Sequence, residues 1–223
     1  NCGPYFQSQR LDLYKKHLSE LVDKGLAYPC FCSSERLNAL RKEKQTLKLS
    51  TKYDRHCLSL TIDKITEKCK SEPHVIRLKI PDSKSITFND TVRNDVTFNT
   101  EGIDDQVLLK SDGFPTYHLA NVIDDYHMGI THVIRGEEWL SSTPKHILLY
   151  NAFGWEAPQF AHVPLLLNPD KSKLSKRQGD IAVENYLKKG VIPEALLNFV
   201  ALLGWNPGDE REIFSINELI SEF

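Results

Sequence analysis

Leu11, Tyr14, Leu18, Leu21 and Val22 recur at the spacing of one helix face. Ser8 precedes them and Gly25 supplies a C-terminal stop, so residues 9–24 are predicted to form an amphipathic helix. Pro29 ends that unit, and the Ser33-Ser34 hydroxyls cap a second short helix over about 35–44. Residues 45–72 are polar and Lys-rich, with only weak helical signals. The period then changes: Val75, Arg77 and Lys79 alternate with Ile76, Leu78 and Ile80, which marks a half-buried strand closed by Pro81. Further strand-like pieces fall at 85–88, 96–98 and 106–110, so residues 28–110 read as a small α+β unit.

From Ser111 the texture differs. The run Ser111-Asp112-Gly113-Phe114-Pro115 is a turn by residue chemistry. An apolar segment follows at 117–123, then a β-type run at 131–134 and a predicted helix over 137–153. Pro144 has to sit near the first turns of that helix or kink it. A repeated strand-then-helix order predicts an α/β fold with a parallel sheet. After Pro158 come a Lys-rich loop at 168–180 and helices near 181–189, 193–203 and 216–222, with Pro193 suited to a first helical position. Internal repeats and low-complexity segments are not seen.

Composition narrows the field. With 223 residues, 40% hydrophobic and 26% charged, the chain reads as an ordinary globular protein able to bury a core. Apolar runs fall short of the roughly 20 residues that span a bilayer, so no membrane partner is expected. The chain begins at Asn1 and its single methionine is Met128, which suggests a piece of a longer polypeptide. Five cysteines, an odd count at irregular spacing, point to a reducing compartment. The net charge of -2 hides two basic stretches. Residues 36–55 carry seven Lys or Arg against two acids, and residues 171–177 carry four positive charges and no acid. Such runs are commonly only solvated surface; two of them in one near-neutral chain suggest a polyanionic partner.

The most informative stretch is Lys173-Leu174-Ser175-Lys176-Arg177, preceded by the turn Asn168-Pro169-Asp170. Two lysines, a hydroxyl and an arginine suit a reaction in which charge builds on a triphosphate. The run resembles the KMSKS signature of class I aminoacyl-tRNA synthetases, in the form used by glutamyl enzymes. Three more blocks resemble the same family in the same order: Gly3-Pro4-Tyr5-Phe6-Gln7-Ser8-Gln9-Arg10, residues 109–125 around Tyr117-His118-Leu119-Ala120-Asn121, and Val133-Ile134-Arg135-Gly136-Glu137-Glu138-Trp139-Leu140. The resemblance covers nearly the whole chain. It implies a Rossmann-type parallel sheet split by an inserted α+β acceptor-binding domain and followed by a helical stem-contact region. Residues 1–27 would close the first Rossmann half, 28–110 form the insertion, 111–156 supply the second half, and 157–223 carry the lysine loop.

The resemblance also implies site residues. Glutamate would be held by Tyr117, Asn121 and Arg135, flanked by His118. A guanidinium fork is the natural partner of a carboxylate, since it offers two parallel charge-assisted bonds. Glu138 and the Leu165-Leu166 backbone would surround ATP. Lys173, Leu174, Ser175, Lys176 and Arg177 would close over its phosphates, Lys176 and Lys173 being the catalytic candidates. The implied reaction attaches L-glutamate to tRNA(Glu) through glutamyl-adenylate, with Mg²⁺ accompanying the ATP and the enzyme acting as a monomer. The basic insertion then has a reason, because phosphate contacts dominate RNA affinity.

Cys30, Cys32 and Cys57 resemble a zinc-ligand spacing found in some bacterial members, but the fourth position holds Ser59. Buried thiols are preferred to zinc on that ground. The family's His-Ile-Gly-His block would precede Gly3, and its anticodon-binding region would follow Phe223. The chain alone is therefore expected to bind parts of its substrates without catalysing adenylation. Two other functions fit the blocks: a paralogue that glutamylates queuosine in tRNA, and a non-catalytic tRNA-binding protein of the same fold. The Gly-x-x-x-x-Gly-Lys-Ser/Thr pattern of P-loop kinases and ATPases is absent. The wording of the blocks suggests a mitochondrial address first and bacterial cytoplasm second.

Overall fold

Helix α1 (Leu11–Asp23) turns Tyr14, Leu18 and Leu21 into the core, the stripe that its periodicity predicts. The computed structural model describes residues 3–82, 84–165, 167, 170–172 and 182–223. In chain order the next elements are β1 (Ala27–Cys30), α2 (Ser34–Thr46), α3 (Ile62–Ser71) and β2 (Val75–Leu78). Strands β3 (Ser85–Asp90), β4 (Asn94–Asn99) and β5 (Val107–Leu109) lead to α4 (Tyr117–His127). Then come β6 (His132–Gly136), α5 (Thr143–Phe153), β7 (Gln159–Val163), α6 (Val183–Lys188), α7 (Pro193–Leu202) and α8 (Ile216–Glu222).

Two sheets organise these elements. Strand β2 lies between β1 and β5, antiparallel to both. The second sheet has the order β4-β3-β7-β6, with β3 antiparallel to β4 and parallel to β7 where Asp90 meets Phe160. The expected parallel pairing is present, but one of its strands comes from inside the 28–110 segment. Alternation explains why: Ile86, Phe88 and Asp90 are buried while their neighbours are exposed, so β3 has one face to cover. Phe88 and Phe160 meet edge to face at 6.0 Å.

Two local differences from the sequence expectation are instructive. The polar stretch 45–72 contains a full helix, α3, in which no residue is buried; its apolar positions, Ile62, Ile65 and Cys69, share one face but are too few to stand out in a Lys-rich run. The predicted helix over 137–153 is divided into a 3-10 turn at Glu137–Ser142 and then α5. Pro144 falls in the first turn of α5, where its missing N–H leaves no bond unmade.

Packing groups the chain into two units. The first runs to Val133 and takes in Leu140–Ala161; the second consists of Ile134–Trp139 and His162–Phe223. The core of the first gathers Tyr14, Leu18 and Leu21 of α1, Leu119, Val122 and Ile123 of α4, and Leu149 and Tyr150 of α5. Each fully buried Leu or Ile of this kind contributes about 1.5–3 kcal/mol. In the second unit, α8 begins with a capping box between Ser215 and Glu218, and both amide atoms of Asn198 on α7 bond to the backbone at Glu212 and Phe214. Among the described residues no helix is long and apolar enough to cross a membrane.

Candidate functional site

Helix α4 is the shelf of the first unit. Its buried positions, Leu119, Ala120, Val122 and Ile123, fasten it to the core, while Tyr117, Asn121 and Asp124 follow one another at four- and three-residue steps on another face. Asp124 fixes the helix: Arg10 Nε donates to its Oδ1 at 2.7 Å, and the Tyr14 hydroxyl donates to its Oδ2 at 2.8 Å. Burial first, and then the Asp124 carboxylate, push the Tyr14 phenol well above its ordinary value, so it remains a donor. Tyr117 opens the helix and is 46% exposed. Asn121 is half-buried, and its Oδ1 has no hydrogen-bond partner among the described residues. An orphaned amide acceptor costs on the order of 1–3 kcal/mol until a donor reaches it. His118 is half-buried, with its Nδ1 3.0 Å from Nε2 of the buried His146 on α5.

Arg135 belongs to the second unit, on β6. Its Nε donates to Nε2 of His162 at 3.0 Å, and its guanidinium carbon lies 5.9 Å from the Trp139 ring centre. Glu138 is exposed, and its carboxylate occupies the space that a side chain at Gly136 would fill. Leu165, half-buried, follows β7. Leu166 and the residues Lys173, Leu174, Ser175, Lys176 and Arg177 lie outside the described residues. Reasoning from sequence found Arg135 but missed His162, which carries no signal in one sequence because a buried histidine in a strand reads as core.

The cysteines converge more closely than their spacing suggested. The Sγ atoms of Cys30, Cys32 and Cys57 all lie within 4.8 Å of one another, with Cys30 and Cys57 buried as expected for thiols. The Tyr53 hydroxyl stands 3.4 Å from Cys30 Sγ and 3.3 Å from Cys32 Sγ, and it accepts from the Cys57 backbone N–H at 3.0 Å. Burial raises the Cys30 thiol, but hydrogen bonds from Tyr53 and Arg77 outweigh it and bring the net value down. Cys32 goes the other way, to about 11, through burial first and then its thiol neighbours. Sulfurs bound to one tetrahedral zinc ion lie about 3.7 Å apart. The 3.5 Å between Cys32 and Cys57 is close to that, so the donor set fits the metal.

Comparison with known proteins decides the family. The model for the catalytic domain of class I tRNA synthetases (E and Q) matches residues 1–223. The chain belongs to that synthetase family. It is 56% identical over 222 residues to a glutamate–tRNA ligase of Clostridioides difficile (strain 630), covering 99% of this chain and 45% of that protein. A glutamate–tRNA ligase of Prosthecochloris aestuarii (strain DSM 271 / SK 413) is also 56% identical, with 100% and 46% covered. Among solved structures, a glutamate–tRNA synthetase from Elizabethkingia anophelis matches with a TM-score of 0.87 at 41% identity, covering 100% of this chain and 50% of that one. A glutamate–tRNA ligase from Elizabethkingia meningosepticum, in complex with its amino acid, gives 0.85 at 42% identity, covering 99% and 50%. The synthetase chain thus spans about half the length of the curated relatives it matches, and the α/β architecture described above is that of the class I catalytic domain.

Proposed function

We propose that the polypeptide carrying this chain ligates L-glutamate to tRNA(Glu) through glutamyl-adenylate, with ATP as the energy source. The observation that carries this reading is the 56% identity, over 99% of the chain, to a glutamate–tRNA ligase. A carboxylate oxygen of glutamate attacks the α-phosphorus of ATP in line, the bond to the β-phosphate oxygen breaks, and pyrophosphate leaves. A ribose hydroxyl of the terminal tRNA adenosine then attacks the acyl carbonyl and AMP departs. In this scheme Arg135 pairs with a glutamate carboxylate, and Tyr117, His118 and Asn121 contribute polar contacts to the same substrate. The orphaned Asn121 acceptor suits an ammonium group. Glu138 and the main chain at Leu165 and Leu166 would face the nucleotide. Lys173, Ser175, Lys176 and Arg177, with Leu174 between them, would close over its phosphates, Lys176 and Lys173 stabilising the transition state. Mg²⁺, when bound with ATP, supplies further neutralisation of phosphate charge.

Residues 28–110 are proposed to meet the acceptor stem, and the enzyme is proposed to act as a monomer. The named relatives are bacterial, so the mitochondrial address draws no support from them and bacterial cytoplasm becomes the better expectation. We propose a zinc ion in the Cys30, Cys32 and Cys57 cluster, on the convergence of their sulfurs, with the Tyr53 hydroxyl adding an oxygen donor. The ion would tie β1 to the segment around Cys57.

The deciding experiment is glutamate-dependent ATP–pyrophosphate exchange, with and without tRNA, on the full polypeptide. Exchange that is lost in Lys176→Ala and Arg135→Ala supports the synthetase. Absent exchange with tRNA binding intact would favour a non-catalytic RNA binder, and transfer of glutamate only to queuosine-containing tRNA would favour the modifying paralogue.

A further inference from the structure

We infer that His162 is a positioning residue for Arg135 that dictates how its guanidinium meets the substrate carboxylate; this rests on the reading of Arg135 as the glutamate clamp. The two residues lie on β6 and β7, with Arg135 Nε donating to His162 Nε2 at 3.0 Å. His162 is fully buried, 0% exposed, so its ring is held by its surroundings and does not follow the arginine. Arginine has only protons to offer, so Nε2 has to present a lone pair and the imidazole is neutral with its proton on Nδ1. The arginine therefore assigns the tautomer, and the histidine in return assigns the arginine.

The consequence lies in the geometry of the fork. A guanidinium grips a carboxylate side-on, through Nε and one Nη, or end-on, through both Nη groups. With Nε engaged by His162, the side-on mode through Nε is closed to the substrate. Trp139, 5.9 Å from the guanidinium carbon, adds a flat neighbour that favours one orientation of the plane. His162 touches no substrate in this scheme. It acts by keeping Arg135 in one rotamer and one approach direction before the dicarboxylic amino acid arrives, which removes an ordering cost from binding.

The test is steady-state exchange kinetics on the full polypeptide for His162→Leu, His162→Gln, Arg135→Ala and the His162→Leu/Arg135→Ala pair. His162→Leu should raise the glutamate KM about tenfold or more, as expected for a lost bond to a charged group, and leave the ATP KM unchanged. Glutamine can place its Oε1 near the position of the lost Nε2, so His162→Gln should restore most of the effect. The Leu change should add little on top of Arg135→Ala. A glutamate KM within twofold of wild type in His162→Leu, with Arg135→Ala strongly impaired, overturns the inference and leaves the synthetase reading standing. Equal rises in the glutamate and ATP KM in both histidine variants overturn it in favour of a structural role. An unaffected KM in Arg135→Ala sinks the clamp itself. Should the Leu variant fail to fold, nitrogen NMR of wild-type His162 still decides: a proton on Nε2 overturns the inference, and a proton on Nδ1 with a protected Arg135 Nε–H supports it.

Discussion

Two buried arginines of the first unit are almost equally hidden, Arg10 at 6% and Arg77 at 7% exposed, yet their surroundings differ in kind. Arg10 has a carboxylate: its Nε meets Asp124 at 2.7 Å, Tyr14 completes that carboxylate, and Nη1 donates to the Pro4 carbonyl. Arg77 forms an ion pair with no carboxylate among the described residues. Its Nη1 donates to the Asp105 carbonyl, its plane lies over the Tyr53 ring at 4.3 Å, and its charge draws the Cys30 thiol down. A buried charge needs a counter-charge. Beside Arg10 the chain supplies one itself. Beside Arg77 the Asp104 carboxylate acts only through space, and the three thiolates of the proposed zinc site would add one net negative charge for the guanidinium to balance. One network is closed by the fold, whereas the other would be closed by the proposed zinc ion.

That contrast breaks most readily at Asp124. Replacing it with Ala leaves Arg10 buried and uncompensated, an imbalance that costs about 3–5 kcal/mol. Denaturant unfolding of Asp124→Ala should show that loss, and Asp124→Asn a smaller one. A change below about 1 kcal/mol would mean that Arg10 finds another anion, and the closed-network description would fail.

The open cluster should respond to metal where the closed one does not. Zinc at a free concentration about 100 times its Kd should stabilise the protein by about 2.7 kcal/mol, read as a rise in melting temperature. Cys57→Ser should abolish most of the rise, while Asp124→Asn should retain it. No shift with zinc, together with free titration of all three thiols by a thiol reagent in the native protein, would return the cluster to ordinary buried cysteines.

The paired tyrosines sharpen the comparison at a finer scale. Tyr14→Phe removes a donor from a carboxylate that keeps Arg10, so about 1 kcal/mol is expected. Tyr53→Phe strands the Cys57 backbone N–H, which donates to that hydroxyl at 3.0 Å, and should cost more, up to about 3 kcal/mol. Equal losses would show that the two hydroxyls are interchangeable in energy, against the distinction drawn above.

How much of this was legible in the sequence depends on what carried the signal. Helix α1 was readable because Tyr14, Leu18 and Leu21 repeat on one face, and β3 was partly readable because Ile86 and Phe88 alternate. Helix α3 was not, since its stripe is only Ile62, Ile65 and Cys69 within a Lys-rich run. The parallel contact of β3 with β7 joins residues seventy positions apart, Asp90 and Phe160, and periodicity says nothing about partners. At the candidate sites, Arg135, Tyr117 and Asn121 came from the blocks in which they stand. His162, His146 and Tyr53 did not, because each acts through a neighbour that only folding supplies. Cysteine spacing gave the three sulfurs but sought the fourth donor at Ser59, downstream of Cys57, while the fold places Tyr53 upstream of it against two of the sulfurs.

A third polar contact lies between the extremes and should give the smallest response. His17 on α1 and His127 at the end of α4 bring their Nε2 atoms to 2.8 Å, with the Trp155 ring edge-on to His17 at 4.9 Å. One ring has to donate and the other accept, so the contact tolerates no second proton. Burial first, and then repulsion from His17, Arg10 and Lys16, hold His127 below its ordinary 6.5, with Asp124 opposing them. The sign follows directly. Since the unfolded chain binds the proton more readily, the stability due to this group is complete above about 6.5 and is lost as pH falls through the lower folded value. Melting temperatures taken between about pH 8 and about pH 5 should fall on acidification, and His127→Gln should flatten part of that slope. His127 is exposed, so solvent screens the effect and the slope change will be modest. An unchanged slope in His127→Gln would place the acid sensitivity at another group and sink the assignment to the histidine pair.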